Sequence, residues 1–440
     1  MTRSLLLAIL LLPLVAHAAD LLETVHDALA YDAQFASARA ALEAGRERLP
    51  QGRAGLLPVL GLSASTVKNT IDYESRPSAG VIPSRYNNNG WSVSLTQPLF
   101  RWQNWANYQQ SELALVQAEA QYATARQDLL LRVTQAYFDL LLAQETVAAA
   151  QAQKSAIAEQ LAVTAKGFEI GTASITDSQE AQARFDLASA QEIAAANDLL
   201  VKRRALRLVT GKEPLALKRL KAGVTIGQPQ PADVDSWSNS AEQGNYAVQA
   251  AQASYEIADR EVGKQRAGHL PTLDLVATRG RASQQTQMVV GVLYPGSDSN
   301  STTVGLQLSV PLLAGGATNS RHRESVALRD KARADLDNAK RQAALQALQA
   351  YLGVTSGLAQ VQALEQGLAY SRSALASNRL NYEIGMRANI DVLNAQQQVF
   401  STQRDLAKAR FDTLAAQVRL KAAAGSLGDG DIGAINALLD

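Results

Sequence analysis

Two kinds of pattern divide this chain: short stretches that alternate and very long ones that do not. Trp91, Val93 and Leu95 alternate with Ser92, Ser94 and Thr96, and Val304, Leu306, Leu308 and Val310 alternate with Gly305, Gln307 and Ser309. A period of two with one apolar face predicts strands. Val59 to about Lys68 and Thr272 to about Arg281 are read as their partners, each entered through Leu-Pro. Four strands follow, at about 58–68, 91–99, 271–281 and 302–312. Strands of about 9 to 11 residues with one apolar face and one face of Ser, Thr, Gln and Gly suit a membrane barrel with lipid outside and water inside. The stretches between them, Asn69–Gly90 and Ala282–Ser301, are rich in Ser, Asn and Gly and read as loops; the sequon Asn300-Ser-Thr302 falls in one of these and is taken as chance.

From Phe100 through Lys166 there is neither Gly nor Pro, and Ala, Gln, Leu, Glu and Arg, all strong helix formers, dominate. One helix over that span is on the order of 100 Å long. Thr172–Thr210, Ala317–Leu352 and Met386–Ala424 read the same way. The stretch that starts at Ala317 is expected to continue past Gly353, Gly357 and Gly367 to about Tyr382, each glycine costing about 1 kcal/mol. Apolar positions form only a stripe, as in Leu129, Leu130, Val133, Tyr137, Leu140 and Leu141. Such a stripe packs one side of a helix and leaves the other polar, giving walls of helix rather than a solid bundle.

The whole pattern occurs twice. Arg53-Ala-Gly-Leu-Leu-Pro58 returns 213 positions later as Arg266-Ala-Gly-His-Leu-Pro271, and Pro98-Leu99 as Pro311-Leu312. Gln135-Ala-Tyr137, Glu169-Ile-Gly171, Asp177 and Gly211 return 214 positions later as Gln349-Ala-Tyr351, Glu383-Ile-Gly385, Asp391 and Gly425. A single one-residue slip over so long a span marks a duplicated structural unit. The expected organisation is a signal peptide at 1–18, a first repeat at 19–211, an insertion at 212–235, a second repeat at 236–425 and a C-terminal segment at 426–440.

Residues 1–18, with Arg3, an apolar run from Leu5 to Val15, and Ala16-His17-Ala18, have the n-region, h-region and small-residue exit of a secretory signal. Its removal takes one Arg from 42 Lys+Arg and none of 41 Asp+Glu, leaving a balanced mature chain. That argues against nucleic acid as a partner. Cysteine is absent, so there is neither a disulfide framework nor a thiolate metal site. His26, His269 and His322 are scattered, no metal or cofactor is expected, and no GxxxxGK[ST] loop is present to hydrolyse nucleotide. An enzyme is therefore not expected. No mature apolar run reaches the roughly 18 to 20 residues of a membrane helix, so contact with a membrane falls to the strands.

Four strands cannot close a barrel, which needs about eight, and an open edge in lipid leaves backbone groups unpaired. Either the strands are soluble hairpins or several chains share one barrel, and three chains supply twelve strands. Leu57-Pro58, His269-Leu-Pro-Thr-Leu-Asp274, Gln97-Pro98, Phe168-Glu-Ile-Gly171, Thr176-Asp177 and Tyr382 through Leu393 make the chain resemble the TolC-type outer-membrane efflux and secretion channels, from Leu21 to the C-terminus. The resemblance implies a mainly α fold with membrane β-strands. It further implies an internally duplicated homotrimer whose twelve-stranded outer-membrane β-barrel, four strands per chain, continues into a long α-helical coiled-coil periplasmic tunnel. It also implies an equatorial girdle, with 212–235 and 426–440 as its candidates here.

The resemblance implies function as well: a passive exit duct for tripartite efflux pumps or type I secretion, gated at its periplasmic helical tip. Its partners would be outer-membrane lipid, a periplasmic adaptor (membrane fusion) protein and an inner-membrane pump of RND or ABC type. Thr176, Asp177, Tyr382 and Arg387 match the gating network, Asp391 matches the first of two ring aspartates at the constriction, and Asn394 stands at the second. Gly171 and Gly385 mark the tip turns where an adaptor would dock. Asp177 and Asp391 also fit ordinary first-turn or capping residues of their helices, and Trp91, Trp102 and Trp105 fit either interfacial anchors or plain packing. The competing reading of the whole chain is a secreted or periplasmic coiled-coil adhesin or scaffold with soluble hairpins.

Overall fold

The computed structural model describes residues 18–74, 81–171, 173–213, 216–221, 223–289 and 292–440; the expected secretory segment, apart from Ala18, lies outside the described residues. In chain order the elements are α1 (Leu21–Tyr31), α2 (Ala33–Arg46), α3 (Arg48–Ala54), β1 (Val59–Glu74), β2 (Val81–Phe100), α4 (Trp102–Glu169), α5 (Ile175–Thr210), α6 (Val234–Gly244) and α7 (Tyr246–Arg266). Then follow β3 (Thr272–Gln284), β4 (Gln287–Val289), β5 (Val292–Tyr294), β6 (Ser297–Ser309), α8 (Ala317–Glu383), α9 (Asn389–Ala423) and α10 (Asp429–Asn436). The duplication is plain in the lengths: α4 and α8 have 68 and 67 residues, α5 and α9 have 36 and 35.

The chain divides into two units, one of Met1–Ala40, Ala120–Gln249 and Asn338–Asp440, the other of Ala41–Glu119 and Ala250–Asp337. In the first, the predicted stripe of α4 is the core: Leu129, Leu130, Val133, Tyr137, Leu140 and Leu141 are buried with Leu21, Val25 and Ala28 of α1 and Phe411, Leu414 and Val418 of α9. Phe138 stacks on Phe411 with ring centroids 5.5 Å apart. Leu217 and Ile226 join the same cluster as Ile432, Ile435 and Leu439, so the Pro/Gly-punctuated stretch and the C-terminal segment pack together. The Lys221 and Asp440 amides seal them, donating to the carbonyls of Leu438 and Arg219 at 3.0 and 2.7 Å. The C-terminal segment 426–440 contains the short helix α10, capped through the Gly428 amide, which donates to Asp431 Oδ2 at 3.0 Å.

Within the same unit α8 runs through Gly353, Gly357 and Gly367. Gly357 has a packing reason: a Cβ there would overlap the hydroxyl and Cβ of Thr413 on α9, so a bare backbone lets the two helices approach. α5 and α9 begin three residues later than the composition predicts, at Ile175 and Asn389. The glycine turns and the extended residues Ser174 and Ala388 come first.

The second unit holds an antiparallel four-stranded sheet in the order β1-β2-β3-β6, and β4 and β5 form a separate pair. Directly paired residues share a face. Leu60, Leu95, Ala277 and Val304 make one row, and Gly61, Ser94, Thr278 and Thr303 lie on the opposite face. The row's members on the edge strands are solvent-exposed, Leu60 and Val304 each at 69%, while Leu95 and Ala277 between them are half-buried, so nothing in the chain covers the apolar face at the sheet's edges. Among the described residues β1 and β6 each have one partner strand and a free edge.

The strands are longer than the alternation predicts at four of their ends. β1 reaches Glu74, β2 starts at Val81 and β3 ends at Gln284, while β6 starts at Ser297, so much of both expected loops is strand. The ladder continues through pairs such as Asn69 with Tyr86 and Asn88 with Gln284 because backbone hydrogen bonding needs no apolar face, and alternation is the only signal the sequence offers. β6 stops at Ser309, short of the expected 312, where Pro311 has no N–H to donate. Arg101, just beyond β2, forks onto Asp274 of β3 at 2.7 and 2.5 Å.

Candidate gate at the helical turns

Each long hairpin in the first unit reverses on a glycine. Gly171 and Gly385 have φ of 79° and 74°, a left-handed conformation that costs other residues about 1–2 kcal/mol. Gly171 N–H donates to the Phe168 carbonyl at 3.1 Å and Gly385 N–H to that of Tyr382 at 3.0 Å, closing both turns alike. A Cβ on either glycine would meet nothing within 4 Å, so conformation, not space, selects glycine. Ile170, Ile384 and Met386 stand exposed around the turns, at 76%, 60% and 75%.

Past the first turn, α5 opens with a capping box. Thr176 N–H donates to Ser174 Oγ at 3.1 Å, and the Ser174 amide donates back to Asp177 Oδ2 at 3.1 Å. Asp177 is thus a capping residue, and half-buried; Thr176 is exposed. The equivalent Asp391 does something else, because the N-cap of its helix is Ala388, whose methyl group cannot accept a hydrogen bond. Asp391 Oδ2 instead takes a single contact from Arg387 Nη1 at 3.4 Å, one turn away on the exposed surface. Arg387 therefore makes no forked contact with a carboxylate within one chain, among the described residues. Burial first, and the nearby negative charge of Asp177 second, push the Tyr382 hydroxyl above its ordinary pKa; the two groups are neighbours, but among the described residues no hydrogen bond joins them.

Asn394 has a partner that sequence reading missed. Arg184 of α5 donates from Nη2 to Asn394 Oδ1 at 2.9 Å and from Nη1 to Gln397 Oε1 at 2.6 Å. Nothing in a linear pattern marks a residue on one helix as the partner of two residues some 210 positions away; only the packing of Ala181 and Ala188 against Leu393 brings α5 and α9 close enough. Nearby, Gln160 of α4 donates to Asn389 at the start of α9 at 2.5 Å. Among the described residues no cluster of His, Cys, Asp and Glu could hold a metal. No described helix is long and apolar enough to cross a membrane, which leaves the strands' part untouched.

The sequence profile of the outer membrane efflux protein family matches residues 24–212 and 237–426, both repeats. The chain belongs to the outer membrane efflux protein family. It is 32% identical to the alkaline protease secretion protein AprF of Pseudomonas aeruginosa, covering 96% of this chain and 88% of that one. It is 30% identical to the outer membrane protein TolC of Escherichia coli, covering 96% and 85%. Among solved structures, the outer membrane protein VceC of Vibrio cholerae superposes with a TM-score of 0.78 at 20% identity over 92% of this chain and 96% of that one. The CmeC outer membrane channel of Campylobacter jejuni gives 0.80 at 18% over 96% and 90%.

The family and its relatives make this an outer-membrane protein with the TolC-type fold: membrane β-strands, a helical periplasmic tunnel and two repeats. It is an outer-membrane exit duct of the efflux and type I secretion class. By name the relatives are channels and secretion proteins rather than enzymes. None is a coiled-coil scaffold or adhesin, and that alternative has no support.

Proposed function

We propose that three copies of this chain close one twelve-stranded barrel and that the duct is gated where the helical hairpins turn. The observation that carries the first half is the sheet itself: four strands, an exposed apolar face and two free edges. In lipid an edge must find a partner, and pairing β6 of one copy with β1 of the next does so without a new element. The absence of cysteine makes the test direct. Single cysteines scanned along β1, combined with single cysteines along β6, should include pairs that oxidise to a covalent trimer in the outer membrane and to nothing larger. Monomers only, or a ladder beyond three, would contradict the closed trimer.

For the gate, Thr176, Asp177, Tyr382 and Arg387 lie at the mouths of the hairpins, with Asp391 and Asn394 a turn further along α9 at a narrow collar. Among the described residues of one chain Arg387 spends little of its donor capacity and the Thr176 hydroxyl none, leaving both able to bond to a neighbouring copy. Such bonds contribute about 0.5–1.5 kcal/mol each, and up to about 3 when charged; a docked partner can outweigh them. The exposed Ile170, Ile384 and Met386 beside Gly171 and Gly385 suit a periplasmic adaptor at the tips, with an inner-membrane pump supplying the energy. Two relatives at 30% identity or more, AprF and PrtF of Dickeya chrysanthemi, are named for secretion of proteases. An ABC-type pump and a protein cargo are therefore favoured over an RND pump and drugs.

A further inference from the structure

The narrow collar of α9 carries one carboxylate, Asp391, and the neighbouring turn carries a guanidinium in place of a second acid. Arg184 is held by two neutral amide oxygens, Asn394 Oδ1 and Gln397 Oε1, which sit one turn apart and so bracket it. Its anchorage is built into the helix contact: Ala181 and Ala188, one turn to either side of Arg184 on α5, are buried against Leu393 of α9. Neutral acceptors orient a cation without cancelling it. Among the described residues no carboxylate lies within ion-pair distance of Arg184, whereas Asp391 already faces Arg387 on its other side. Asp391 thus lies between two guanidinium groups, Arg387 and Arg184, and the acids nearest Arg184 in sequence, Glu180 and Asp186, make no ion pair with it among the described residues.

We propose that Arg184 is a specificity-determining residue that cancels the cation preference of the constriction, so that the duct admits acidic cargo and small anions. The proposal rests on the reading of the Asp391–Asn394 level as the narrowest part of the duct. Isolated carboxylate rings concentrate cations; a guanidinium one turn away, repeated in each copy, opposes that field at close range. A pair of adjacent carboxylate levels able to grip a multivalent cation does not form, because the second level is Asn394 bound to Arg184.

The test is the reversal potential of the purified wild-type protein, Arg184→Gln, Arg184→Lys and Asp391→Ala in planar bilayers under a potassium chloride gradient, with hexaamminecobalt(III) as the blocking probe. Wild type and Arg184→Lys should discriminate weakly and resist block. Arg184→Gln should raise the cation-to-anion permeability ratio by about threefold or more, since local potentials of several kT are at stake. Arg184→Gln combined with Asn394→Asp should in addition be blocked by the trivalent cation. If Asp391→Ala shifts the reversal potential and Arg184→Gln does not, Arg184 has no such role and the constriction reading stands. If neither shifts it, the constriction reading itself falls and takes this inference with it. Should Arg184→Gln fail to insert, Arg184→Met serves instead, because it removes the guanidinium and keeps an apolar stem to pack: a shift toward cations supports the proposal, and an unchanged potential overturns it.

Discussion

Asp32 joins two elements and one long helix through a single carboxylate. It caps α2 by accepting from the Phe35 amide at 2.7 Å and receives both Nη atoms of Arg132 on α4 at 3.0 Å. The Arg132 bonds hold its pKa below the ordinary value against the opposing effect of burial, with the Phe35 amide helping. A depressed carboxylate stabilises the fold above its unfolded pKa of about 4 and loses that contribution as pH falls through the lower folded value. Asp32→Asn should therefore destabilise by about 1–3 kcal/mol at neutral pH, and thermal melts should show the gap from wild type narrowing below about pH 4. A gap independent of pH would mean that the amide lost packing rather than charge. At this scale the sequence reveals residues that act through the backbone, such as Gly171 and Gly385, whose Glu-Ile-Gly setting repeats. It hides those that act across space: Arg184 and Arg132 look like any surface arginine until the helices are packed.

Elements were legible where one signal dominates. The absence of Gly and Pro marks α4, and the interior glycines of α8 are tolerated because packing replaces what propensity withholds. Where Gly357 meets Thr413 the helix pair is most sensitive: Gly357→Val should destabilise by about 1–3 kcal/mol by overpacking, lowering the melting temperature followed by far-ultraviolet circular dichroism. The companion Thr413→Ala should recover part of the loss. No recovery would show that the glycine is needed for something other than this approach. Boundaries were read less well, and for physical reasons. The start of α5 is set by hydrogen bonds of Ser174 and Asp177, not by hydrophobic period, and the outer parts of the strands mix Asn, Ser, Asp, Glu and Gln with few apolar positions, as at 297–301 of β6 and 86–89 of β2. The small helix α10 was missed because eight residues, two of them glycine, carry almost no periodic signal.

For the whole molecule, the number of strands was the most telling quantity available from the sequence. Four alternating stretches are too few to close and too exposed to remain single in lipid, which made assembly part of the argument before any packing was known. What no sequence pattern could supply is the contact between copies on which the proposed gate rests: inside one chain Asp177 serves its own helix and Arg387 only grazes Asp391. Single-channel conductance in planar bilayers tests this most directly, comparing wild type with Thr176→Ala, Arg387→Ala and the two combined. The account predicts small wild-type openings and a stepwise rise in conductance, largest in the double variant. Equal conductance in all four would contradict gating by this network, and no conductance from a protein that leaves the membrane without detergent would contradict the duct itself.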